Sequence, residues 1–232
     1  MNGTTIDKRL VAKLNPYLTT NVNNYLESQK SCRKYKVLES SGNMQIMYFG
    51  KPYSFSHIAA MHRFGDKSKY ISKPSIKEAI ESLTHLNNSI AVVPIENTTG
   101  GIIHDTVDML ILPQYLYSNL SIVEELELNI KLFLLSKKPI QLRQIKIVYS
   151  HEYALKKAEP WIKSHLSATV TMVDVQSTSE AIHRIKNEKY SCAIASAEAA
   201  DYYGLRKLNE IVGGGEEKKN ITRFLVLKNN CD

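Results

Sequence analysis

The strongest constraint on this chain is a pattern that runs twice. Short apolar stretches of strand length alternate with segments of helical period, and a long alternating stretch over 120–135 separates the two runs. In the first run, 45–49 and 90–95 read as strands, the second bounded by Asn88-Ser89 and Glu96-Asn97. Helices are expected over 56–64, 75–86 and 102–112, with Ser75 as a cap. In the second run, strands over 145–149, 169–175 and 192–195 alternate with helices over 152–165, 179–186 and 197–203, and Gly204 stands where a helix C-terminus favours glycine. Strand and helix in turn imply an α/β fold with a mainly parallel sheet. Val123, Leu126, Leu128, Ile130, Leu132 and Leu134 largely alternate with polar residues, so 120–137 is long enough to cross between two α/β units, as is 206–228. At 232 residues the chain can bury one large core or two lobes of about 100 residues each, and length alone leaves both open.

Composition removes several function classes. No apolar run approaches the roughly 18 residues of a membrane span, and the first residues lack the apolar core of a secretory signal, so no membrane association and a cytoplasmic location are expected. Cys32, Cys192 and Cys231 lie far apart without metal-ligand spacing, so no metal site is expected. The formal charge of +7 is spread along the chain, which reads first as a solvated basic surface, with attraction of a small dianion as the second reading, and not as a nucleic-acid footprint. Gly213-Gly214-Gly215 is followed by Glu216-Glu217-Lys218-Lys219 and lacks the context of a phosphate loop. Ser56 and His57 sit in no Gly-x-Ser-x-Gly elbow, which argues against nucleophilic catalysis. Residues 1–43 form a separate N-terminal extension, helical or partly disordered, in which Ile6, Leu10 and Leu14 recur at helical spacing before Pro16.

Four polar motifs stand beside apolar runs: 48–57 (YFGKPYSFSH), 93–101 (VPIENTTGG), Ser150-His151, and 220–224 (NITRF) ahead of Leu225-Val226-Leu227. Polar residues at strand ends collect around a cleft, so motifs this far apart can share one site. In order and approximate spacing, from about 46 to 228, they resemble the prephenate dehydratase family. Gly50, Phe55, Ser56 and His57 keep that family's first loop, and Pro94, Glu96 and Asn97 keep its second. The stretch 150–155 with Trp161 resembles the third block, and Thr222-Arg223-Phe224 matches the fourth letter for letter. Departures fall at Lys51, Tyr53 and Ser54, where the family has Pro, Gly and Thr, at Thr98 for Ser, and at Leu132, where many members have His.

The resemblance implies a two-lobed, periplasmic-binding-protein-like (type II) α/β fold with the active site between the lobes. A catalytic domain over 44–228 is expected, with lobe 1 at about 44–119 plus 206–228 and lobe 2 at about 120–205. The implied reaction turns prephenate into phenylpyruvate, water and CO2 in phenylalanine biosynthesis, without cofactor or metal. Arogenate is the alternative substrate. A decarboxylase that retains the ring hydroxyl and a non-catalytic small-acid-binding relative are the competing readings.

The resemblance also assigns roles. Arg223 is the natural carboxylate clamp, since guanidinium is always charged and matches a carboxylate with two donors. Thr222 would supply a preorganised hydrogen bond to the leaving oxygen. Asn97 and Thr98 would orient substrate oxygens, and Glu96 stays open between a protonated acid and a structural anchor. Ser56, His57, Gly100, Gly101, Ser150, His151, Thr178 and Phe224 complete the expected substrate contacts. Ser150 and His151 are also read as caps of the helix that follows, and backbone N–H groups at Gly100-Gly101 as a carboxylate seat. Many relatives continue into a phenylalanine-sensing ACT domain, and with only 225–232 after the last motif such feedback is expected to be absent. Homo-oligomerisation is left open by the sequence.

Overall fold

Gln45–Phe49 form β1, whose Ile46, Met47 and Tyr48 are buried, and it pairs in parallel with β2 (Lys69–Lys73) and β3 (Ser89–Asn97). These coordinates are a computed structural model that describes residues 44–65, 68–86, 88–112, 120–175, 178–211 and 220–229. The expectations for 1–43 and for Gly213-Gly214-Gly215 lie outside the described residues.

Helix α1 (Phe55–Phe64) links β1 to β2, and α2 (Ile76–Glu81) leads through a 3-10 turn into β3. Ser75 caps α2, its side chain accepting from the Glu78 backbone N–H at 3.1 Å. The two-residue β4 (Gly101–Ile102) and α3 (His104–Ile111) follow, and then β5 (Leu120–Asn129). The second unit runs β6 (Leu132–Ser136), β7 (Ile147–Ser150), α4 (Glu152–His165), β8 (Thr171–Asp174), α5 (Thr178–Asn187), β9 (Ser191–Ala195), α6 (Ala197–Tyr203) and β10 (Arg206–Ile211). Gly204 ends α6 in the left-handed conformation, φ 62°, ψ 43°. Strand β11 (Ile221–Asn229) then returns to the first unit.

The strands make two separate sheets, in the orders β2-β1-β3-β11-β5, with β4 on β3, and β10-β6-β9-β7-β8. Both are mixed. The β1, β2 and β3 pairings and those of β7 with β8 and β9 are parallel, but β11, β5, β6 and β10 run antiparallel to their neighbours, which corrects the mainly parallel expectation. The lobe boundaries move as well. Residues 120–129 belong to the first sheet because β5 pairs along the whole of β11, and 206–211 belong to the second because β10 pairs with β6.

Period-2 alternation puts a core on each face of each sheet. On the first sheet, Ala91, Val93, Ile95, Leu225 and Leu227 pack on α2 and α3, while Ile90, Val92, Phe224 and Val226 pack on α1. On the second, Leu132, Leu134, Cys192 and Ile194 meet Leu155, Ala158 and Trp161 of α4, while Leu135, Ala193 and Ala195 meet α5 and α6. Among the described residues no helix is long and apolar enough to cross a membrane.

Candidate active site

The ladder between β3 and β11 contains an irregularity that builds the site. Thr222 pairs with Asn97 and Arg223 with Glu96, but Phe224 pairs with Pro94, so Ile95 is an extra residue on β3. Such a bulge offsets the alternation of its strand by one residue. On β11 the alternation is unbroken: Leu225 and Leu227 share one core, and Thr222 falls on the opposite face with Phe224 and Val226. The bulge brings Asn97 onto the Thr222 face, and Glu96 onto the face of Arg223.

Asn97 is buried and fully engaged. Its Nδ2 donates to Thr222 Oγ1 at 2.9 Å and to Asn220 Oδ1 at 2.8 Å. Its Oδ1 accepts from the backbone N–H groups of Thr99 (2.9 Å) and Gly100 (2.8 Å), from Thr99 Oγ1 (2.6 Å), and from the Tyr153 hydroxyl on α4. Backbone N–H groups can only donate, so they fix which end of the carboxamide is oxygen. Thr222 Oγ1 therefore accepts from Asn97, and its own proton is directed elsewhere. Among the described residues no acceptor takes that proton.

Arg223 lies on the other face of the ladder. Its Nε donates to Glu125 of β5 and its Nη1 to Glu96 at 3.3 Å, and the three side chains are only 12–15% exposed. Glu125, ahead of Glu96, raises the guanidinium pKa above its ordinary value. The expectation of one gap shared by guanidinium and amide is thus corrected, because neighbouring residues of a strand point to opposite faces. Glu96 is a partner of Arg223.

The other expected contacts divide. Thr98 clips β11, its Oγ1 accepting from the Ile221 N–H at 3.0 Å and its own N–H donating to the Ile221 carbonyl at 2.9 Å. The Gly100 N–H is spent on Asn97 instead of forming a carboxylate seat, and Gly101 sits in β4 at φ 82°. Ser150 donates to the Ile194 carbonyl at 2.8 Å and ties β7 to β9, while His151 caps α4, its Nδ1 accepting from the Tyr153 N–H at 3.4 Å. Phe224 is 1% exposed in the first lobe's core, so it seats β11 and does not line a gap. Thr178 opens α5, and its side chain lies outside the described residues.

Ser56 and His57 are buried in the first turns of α1. The His57 ring stacks on Tyr48 at 4.4 Å, and its Nδ1 accepts from the Tyr53 N–H at 3.0 Å. That bond steadies Tyr53 at φ 63°, a left-handed conformation usually left to glycine, and the resembled loop carries Gly at this place. Tyr53 also stacks on Tyr202 of α6 at 4.1 Å, which joins the two lobes. Burial lowers the His57 pKa, so the fold favours neutral imidazole. The unfolded chain takes up this proton near pH 6.5 and the folded chain only at lower pH, so stability contributed by the neutral ring is lost as pH falls below about 6.5. The urea midpoint is expected to drop between pH 7 and pH 5, and less steeply in His57→Gln.

Sequence reasoning passed over Thr99, Asn220 and Tyr153. The first two lie within the 93–101 and 220–224 motifs, and that membership was the available signal. Tyr153 lies in the 150–155 stretch, but nothing local shows that it reaches Asn97 in the other lobe. Among the described residues no group of three or more His, Cys, Asp or Glu is placed to hold a metal ion.

Polar groups at strand ends, where two α/β lobes touch, are the arrangement of an α/β protein that binds a small molecule. A sequence model described as prephenate dehydratase matches residues 46–232, and the chain belongs to that family. It is 32% identical over 209 residues to a bifunctional chorismate mutase/prephenate dehydratase of Stutzerimonas stutzeri, covering 87% of this chain and 54% of that protein. It is 31% identical over 186 residues to arogenate dehydratase 1 of Petunia hybrida, covering 79% and 42%. The chain thus spans about half the length of the curated relatives it matches. The structure of a prephenate dehydratase from Arthrobacter aurescens in complex with L-Phe superposes with a TM-score of 0.70 at 23% identity, over 82% of this chain and 61% of that one. The likeness establishes a shared α/β fold built on two sheets.

Proposed function

We propose that the chain converts prephenate to phenylpyruvate, water and CO2, a step of phenylalanine biosynthesis, without a cofactor. The observation that carries this reading is the polarity of the Asn97–Thr222 hydrogen bond, which leaves Thr222 as a donor at the lobe junction. In the reaction the ring carboxylate leaves as CO2, its C–C electron pair enters the ring, and the C–O bond at the opposite carbon breaks. Oxygen departs with the C–O bonding pair, takes up a proton and ends as water, and the ring becomes aromatic. A catalyst of this step places a donor where the oxygen gains charge. Threonine is too weak an acid to surrender its proton outright, so Thr222 acts by a preoriented hydrogen bond and solvent completes the water.

Arg223 reads as a brace of the β3-β11-β5 seam, since both neighbouring carboxylates hold it. Arogenate differs from prephenate by an amine in place of the side-chain keto group. The similarity to an arogenate dehydratase makes it the second substrate to assay. Purified protein mixed with prephenate should develop the strong ultraviolet absorbance of phenylpyruvate in alkali. No absorbance, while a known dehydratase turns over beside it, would refute the reading. Arogenate in a parallel vessel, followed as phenylalanine, ranks the two.

A further inference from the structure

Tyr153, the second residue of α4, is the side chain at the lobe junction that the family motifs leave without a role. Its hydroxyl reaches out of the second lobe to Asn97 Oδ1 in the first and lies 3.0 Å from Thr99 Oγ1. Its ring occupies the space beside Gly100. A Cβ added there would come within 2.7 Å of the ring and 2.8 Å of the hydroxyl, closer than real Cβ contacts run. A side chain at position 100 would have to push the Tyr153 ring aside.

Three of the four donors on Asn97 Oδ1 belong to the adjoining loop, the backbone N–H groups of Thr99 and Gly100 and the Thr99 hydroxyl. The fourth is Tyr153, and it alone comes from the other lobe. A carbonyl oxygen has two lone pairs, so four donors compete for it, and the share Tyr153 takes varies with the approach of the second lobe. Nδ2 of the same carboxamide carries the bond to Thr222.

We propose that Tyr153 is a positioning residue: seated on Gly100, it couples the approach of the second lobe to the orientation of Asn97, and through Asn97 to the direction of the Thr222 proton. The catalytic half of this rests on the reading of Thr222 as donor to the leaving oxygen. Two facts support the assignment. Burial raises the phenol pKa, so the group stays a donor throughout the neutral range. The His151 cap fixes the Tyr153 backbone at the helix start, and the Lys157 ammonium lies 5.8 Å from the ring centroid.

The test uses the full chain and four variants: Tyr153→Phe, Tyr153→Ala, Gly100→Ala, and Gly100→Ala with Tyr153→Ala. Tyr153→Phe removes one hydrogen bond and keeps the ring. It should lower kcat about fivefold to tenfold with KM within about twofold, as expected of a residue that acts through Asn97. Gly100→Ala expels the ring and should do at least as much alone, but nothing further in the Tyr153→Ala background. Backbone hydrogen exchange at Thr99 and Gly100 in the free protein should quicken about fivefold or more in Tyr153→Phe.

If prephenate is turned over and Tyr153→Phe keeps kcat within about twofold, the positioning role is overturned and the dehydratase reading stands. If Gly100→Ala is equally harmful in both backgrounds, the seat on Gly100 is overturned. If the wild type does not turn prephenate over, the dehydratase reading falls and exchange decides the rest. Faster exchange in Tyr153→Phe then sustains the coupling of Tyr153 to Asn97, and unchanged exchange overturns it.

Discussion

Thr222→Val should lower kcat by about 10²–10³ at nearly unchanged KM, the cost of removing one preoriented donor from a developing oxyanion. Valine is close to threonine in shape, and Thr222 is 8% exposed beside the Asn97 carboxamide, so the substitution deletes the hydroxyl without opening a cavity. It also leaves one Asn97 N–H without an acceptor, at a cost of about 1–3 kcal/mol in stability. Thr222→Ser keeps the oxygen and should retain most of the activity. The comparison to make is kcat and KM for prephenate in the three proteins, with thermal unfolding as a control for folding. Equal rates for valine and threonine would remove Thr222 from the reaction.

Arg223→Met should act on the fold. The guanidinium sits between Glu96 of β3 and Glu125 of β5, and its loss leaves these two carboxylates on the strands that flank β11 with little solvent. Removing one partner from a buried ion pair costs about 3–5 kcal/mol, and the partial exposure here brings that down to about 2–4 kcal/mol. For a domain of this size the melting temperature should fall by roughly 5–15 °C. Neutralising the acids should rescue: Glu96→Gln and Glu125→Gln added to Arg223→Met should recover part of the loss. Calorimetry of unfolding decides it. A variant that melts as the wild type does but loses prephenate binding would return Arg223 to the role of carboxylate clamp.

Those two predictions divide a motif that reads in sequence as one catalytic unit, and the division shows what was legible. Thr222-Arg223-Phe224 announces a strand, and period 2 alone puts its middle residue opposite the other two. Which of them meets Asn97 depends on the bulge at Ile95. Pro94 was its visible sign, since proline within a sheet is confined to edges, strand starts and bulges. Local signals worked where the physics is local, as with the Ser75 cap and the left-handed Gly204. They failed at β2 and β10, because KYISK and RKLNEI are polar edge strands with little apolar face to reveal them. The stretch 120–135 alternates as one run but divides at Ile130-Lys131, where the chain passes between sheets with no glycine or proline to mark the step. The reach of Tyr153 could not be read, because its partners Asn97 and Thr99 lie more than fifty positions away in the other lobe.

The central claim is that this junction removes oxygen from a ring as it releases CO2. Mass spectrometry of the products formed from prephenate by the purified chain tests it most directly. The account predicts phenylpyruvate, which has lost both water and CO2, formed in wild type and nearly absent in Thr222→Val. A product that has lost CO2 but keeps the ring hydroxyl, or prephenate recovered intact, would contradict it.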